Sequence, residues 1–95
     1  MSNVIEQAVN ALSEKMAGAG FDGSAKFSIE GEGSVIVDAN GVRASDEDAE
    51  VTLIATAETF QDIMAGALDP TSAFMSGKLR IEGDMGTAMR LSGVL

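Results

Sequence analysis

The stretch FMSGKLRIEGDMGTAMRL, Phe74–Leu91, decides the fold. Gly77 follows a short helical pattern and reads as its C-terminal stop, because glycine tolerates the left-handed backbone that closes a helix. Lys78 to Glu82 alternates polar and apolar residues, which puts Leu79 and Ile81 on one face of a strand. Gly83 breaks that strand. Asp84 stands where an N-cap is needed for a further helix carrying Met85, Ala88, Met89 and Leu91. The order is helix, strand, helix, with methionine and phenylalanine on the inner sides.

Working towards the N-terminus, Asp69-Pro70 starts the short helix before Gly77. Asp69 is its cap, and Pro70 sits at the first helical position, where a missing N–H does no harm. Ala73, Phe74 and Met75 are the expected buried side. Upstream, Phe60, Ile63, Met64, Ala67 and Leu68 recur at helical spacing, with Glu58 placed to favour the dipole of the first turn. Val51 to Thr56 is rich in β-branched residues and reads as a strand.

The N-terminal half starts with a helix. Asn3 is its expected cap, and Glu6 takes the reciprocal capping-box position. Val4, Ile5, Ala8, Val9, Leu12 and Met16 form one apolar face, Gly18 and Gly20 end the helix, and Asp22-Gly23 begins a turn. Ala25 to Glu30 alternates with Phe27 and Ile29 on one side. Gly31-Glu32-Gly33 is a hairpin turn leading to a strand at Val35, Ile36 and Val37. Asn40-Gly41 predicts a type I′ turn with both residues at positive φ, and Val42 to Ser45 returns as a short strand. The order α-β-β-β-β-α-α-β-α predicts an α+β fold, one sheet with helices on one face.

Several of these elements occur together in a known family. The ordered series Asp69-Pro70, Phe74-Met75, Gly77-Lys78, Leu79-x-Ile81 and Gly83-Asp84 follows the strand DAEVTLIAT (48–56) and the helix ETFQDIMAGAL (58–68). It resembles the C-terminal half of the sterol carrier protein type-two (sterol-binding) domain family. The likeness is densest from Ala49 to Leu91. The N-terminal half matches in layout, and the chain is shorter than usual for the family between the second strand and Ala49. The resemblance implies one lipid-binding domain over residues 1–95. It also implies a single five-stranded, mainly antiparallel or mixed sheet with helices packed on one face around an apolar tunnel. The activity implied is non-catalytic binding and intracellular transfer of an apolar lipid: a fatty acid, a fatty acyl thioester or a sterol-like molecule. A second role in the family is an accessory subunit that presents a lipid substrate to a partner enzyme, as in isoprenoid quinone synthesis.

Composition narrows the chemistry. Ninety-five residues with 45% hydrophobic content suit one folded core. The net charge of −9 opposes nucleic acid and anionic membrane, and Lys78, Arg80 and Arg90 are the cations that cluster in sequence. The chain has no His, Cys, Trp or Tyr, which removes the usual general base and the soft metal ligands. Ser72 and Ser76 lie near Lys78, but each has a simpler place on a helix or in a turn. Asp46, Glu47, Asp48 and Glu50 lack the spacing of a calcium loop and read as a solvated turn. No enzyme activity, cofactor or metal is expected. With no apolar run near 18 residues and no leader pattern, a soluble cytoplasmic protein is the expectation. The partners expected are a small apolar lipid, no nucleic acid, and transient contact with a membrane or a lipid enzyme. Oligomeric state is not legible.

The methionines are the remaining signal, because their flexible thioether chains suit variable apolar guests as well as irregular cores. On composition alone a methionine-rich solid core is the simpler reading; the family resemblance turns it towards a pocket. The expected wall is Phe60, Met64, Phe74, Met75, Met85 and Met89. Phe27, Ile29, Val35 and Val37 form the sheet floor, together with Leu79 and Ile81. A dry void of about 400 Å³ would cost on the order of 10 kcal/mol, rivalling a whole domain's stability. Such a hollow is expected to be filled, wet or partly collapsed.

Overall fold

A computed structural model describes residues 3–16 and 23–92. The expected helix stop at Gly18 and Gly20, the turn residue Asp22 and the side chain of Met16 lie outside the described part. The elements are α1 (Asn3–Met16), β1 (Ala25–Glu30), β2 (Gly33–Asp38), β3 (Gly41–Ala44), β4 (Val51–Thr56), α2 (Ala57–Met64), α3 (Pro70–Met75), β5 (Arg80–Gly83) and α4 (Met85–Ser92). One five-stranded mixed sheet runs in the order β3-β2-β1-β4-β5. β1 lies parallel to β4, and the other neighbours are antiparallel.

The two-residue period of the strands determines what each face buries. Ala25, Phe27 and Ile29 of β1 face the same way as Val35 and Val37 of β2 and Val51, Leu53 and Ala55 of β4. These join Ile5, Ala8 and Leu12 of α1, Phe60 and Ile63 of α2, Ala73 of α3 and Ala88 and Leu91 of α4 in a single core. All four helices therefore cover one face. On the other face Ile36 is buried, with Lys26 and Arg43 opposite it in the register. Lys26 pairs with Asp46 at 3.3 Å, and Arg43 pairs with Asp38 and Glu47 at 3.0 Å each. Two carboxylates of the acidic turn are thus engaged by cations. Ser45 and then Arg43 hold the Glu47 carboxyl below the usual carboxylate range.

Several boundaries move for physical reasons. Asn3 already lies inside α1, one position past its expected role as cap. The turn expected at Asn40-Gly41 shifts by one residue: Asp38 pairs with Gly41, so Ala39 and Asn40 form the loop. The Asp38 carboxylate accepts the Asn40 N–H at 2.9 Å, a local bond that fixes this turn. Helix α2 stops at Met64, short of Ala67 and Leu68, because Gly66 takes φ 79°. The N–H groups of Ala67 and Leu68 then close on the Asp62 carbonyl at 2.9 and 3.1 Å. On α3 only Ala73 is buried, whereas Phe74 and Met75 were expected beside it. Three successive helical residues spread over about 200° and cannot all face one sheet. β5 begins at Arg80, two residues after the expected Lys78.

Candidate functional site

Helix α3 is positioned by its own cap. The Asp69 carboxylate accepts the Ser72 N–H at 3.2 Å, with Pro70 in the first turn. The Ser76 hydroxyl donates to the Ala73 carbonyl at 3.2 Å and serves the end of the helix. The chain then enters β5, where Leu53 of β4 pairs with Ile81. Past Gly83 it turns into α4. Three pieces of the segment Phe74–Leu91 thereby surround one space.

That space is an apolar groove of about 240 Å³. Its floor is Leu53, Leu79 and Ile81. One wall is the first turn of α3 with Phe74, and the other is Met85, Ala88 and Met89 of α4. Among the described lining residues Thr71 is the one polar side chain, and none is titratable. Phe74 is 42% exposed, Met85 46% and Met89 74%, so the walls are greasy and open to water. Exposed apolar surface of this kind, concentrated in one place, makes the groove the candidate interaction site. Beneath Leu53, Pro70 and Leu79 a second space retains only about 10 Å³. Phe27 and Phe60 fill the core there, ring centres 5.4 Å apart and edge to face.

The expected wall and floor residues divide five ways. Phe74, Leu79, Ile81, Met85 and Met89 come together around the groove. Phe27, Ile29 and Phe60 sit beneath it around the small inner space. Val35 and Val37 are fully buried in the core. Met64 lies in a crevice between α1 and α2 with Val4, Ala8 and Phe60. Met75 is 80% exposed and outside the groove lining. Leu53, Pro70, Thr71 and Ala88 line the groove without having been expected there. The alternation Val51-Leu53-Ala55 was the signal for Leu53, and the helical spacing from Met85 was the signal for Ala88.

A polar knot holds α4 against the sheet. Thr87 is fully buried, and its hydroxyl donates to Asp84 at 2.5 Å. It lies 3.4 Å from Glu50 and accepts from Arg90 at 3.2 Å. Asp84 also accepts the Gly86 N–H at 3.3 Å, as an N-terminal cap does. Among the three cations that cluster in sequence, Arg90 is committed here and Arg80 pairs with Glu82 at 3.0 Å. The Thr87 hydroxyl holds the Asp84 carboxyl below the usual carboxylate range. A depressed folded value means that this contribution is present at neutral pH and lost as the carboxylate protonates, below about pH 4. Thermal midpoints of wild type and Asp84→Ala measured across pH are expected to differ at pH 7 and to converge below that point.

Among the described residues no group of three or more acidic side chains is close enough to hold a metal, and no helix is long and apolar enough to cross a membrane.

One five-stranded mixed sheet with four helices on one face is the fold of solved sterol carrier proteins. The crystal structure of sterol carrier protein 2 like 2 from Aedes aegypti superposes with a TM-score of 0.82 at 20% identity, covering 97% of this chain and 96% of that one. The solution structure of Aedes aegypti sterol carrier protein 2 in complex with the C16 fatty acid palmitate superposes with a TM-score of 0.75 at 21% identity, covering 98% and 94%. The chain belongs to the SCP-2 sterol transfer family, whose model matches residues 3–95. Peroxisomal multifunctional enzyme A of Dictyostelium discoideum is 40% identical over 65 residues, 68% of this chain and 14% of that protein. The chain spans 11–14% of the length of the curated relatives it matches.

Proposed function

We propose that this chain binds the alkyl part of an apolar lipid in the groove between α3, β5 and α4 and transfers it between sites without chemical change. The guest is a fatty acid, a fatty acyl thioester or a sterol-like molecule, and residues 1–95 act as one lipid-binding domain. The observation that carries the reading is the concentration of exposed Phe74, Met85 and Met89 around a groove with no titratable wall residue among the described residues. Membership in a sterol transfer family supports it, as does the palmitate bound by a relative of the same fold.

The groove's role is contact and shape. Each methylene moved from water into it contributes about 0.8 kcal/mol, against the cost of immobilising the guest. The thioether chains of Met85 and Met89 adapt to guests of different outline. At about 240 Å³ the groove is smaller than the ~300–1,000 Å³ of common small-molecule sites. A guest as bulky as a sterol therefore requires α4 to move outward, whereas a long single chain extends out of the groove. Native mass spectrometry of gently purified protein is expected to show lipid adducts, and a fluorescent fatty acid is expected to bind and be displaced by unlabelled lipid. Bare protein together with no fatty-acid binding contradicts the reading.

A further inference from the structure

Resting on that reading, we propose that the groove is an alkyl-length ruler: it takes about ten carbons of a single chain and leaves the remainder, with the head group, in water. The limit comes from what closes the inner end. Leu53, Pro70 and Leu79 belong both to the groove and to the small space beneath it. Leu53 and Leu79 are each only 4% exposed, so they stand as a partition. Behind them the edge-to-face pair Phe27–Phe60 leaves about 10 Å³, less than one methylene needs.

Volume sets the count. A dry cavity of about 150 Å³ accommodates benzene, six carbons. At the same density the 240 Å³ of the groove holds about ten. Among the described residues Thr71 is the one polar lining side chain and no cation is among the walls, so none of them offers the head group an ionic partner inside. Recognition therefore depends on the alkyl segment and not on the group that ends it.

Competition against a fluorescent fatty acid, run with n-alkyl carboxylates and n-alkanols from C6 to C16 below their aggregation limits, tests this. The dissociation constant is expected to fall about fourfold per carbon up to about C10. Beyond that length it is expected to change less than twofold per carbon. Acid and alcohol of equal length are expected to agree within about threefold. Leu79→Ala, which removes the partition, is expected to move the break two or more carbons longer; Leu53→Val, a milder cut in the same partition, is expected to move it in the same direction. A fourfold gain per carbon continuing to C16, a carboxylate preference above tenfold, or a break unmoved in both folded variants overturns the ruler while leaving lipid binding intact. No binding at any length overturns the proposed function itself.

Discussion

Replacing Gly83 with alanine is expected to lower the thermal midpoint by about 15–30 °C, the largest loss expected from a glycine-to-alanine change among the described residues. Gly83 has φ 108°, a region that side-chain-bearing residues rarely occupy. A Cβ there would stand 2.5 Å from the Glu50 carbonyl oxygen and 3.0 Å from the Val51 Cα, both backbone atoms with no rotamer to escape into. The same carbonyl accepts the Asp84 N–H at 2.9 Å, so moving it away breaks the bond between the residue that precedes α4 and the one that precedes β4. Backbone strain of about 1–3 kcal/mol and overpacking of about 1–3 kcal/mol combine against a total stability of about 5–15 kcal/mol. Gly31→Ala is the control. Gly31 also has positive φ, but a Cβ would meet nothing within 4 Å. It is expected to lose only about 1 kcal/mol, the conformational part alone. Thermal or urea melts of the two variants separate the terms.

The second large effect is on binding. Met85→Asp is expected to weaken fatty-acid binding by about 10–100-fold, because the alkyl guest then strips water from a carboxylate without replacing its hydrogen bonds. Met85 is 46% exposed before a guest arrives, so the free protein tolerates the charge. Met75→Asp adds the same charge at a residue that is 80% exposed and outside the groove lining. It is expected to leave affinity within about twofold. The pair separates local desolvation from the added negative charge, which is equal in both.

The contrast between Met75 and Met85 shows where the sequence was legible. Strand identity was readable wherever alternation was clean, as in β1 and β4, which begin and end where their patterns do. The caps at Asp69 and Asp84 were readable because a carboxylate at a helix start has one dominant use. Facing direction on a six-residue helix was not readable. Phe74 and Met75 are both apolar, and only the docking of Ala73 against the core decides that Phe74 turns to the groove and Met75 to solvent. The parallel pairing of β1 with β4 was equally hidden, because a single strand's pattern is the same for either neighbour direction. That pairing, with β5 at the edge beside β4, places Leu53 in the groove floor. Val35 and Val37, alike in sequence, face the core further across the sheet.

The methyl NMR spectrum of methionine-labelled protein during titration with decanoate locates the guest directly. Met64 lies on α2, Met75 on α3 and Met85 and Met89 on α4, so their methyl signals report location. Met85 and Met89 are expected to shift with the guest while Met75 and Met64 stay in place. Shifts at Met64 without shifts at Met85 and Met89 would put the guest between α1 and α2 and contradict binding in the groove.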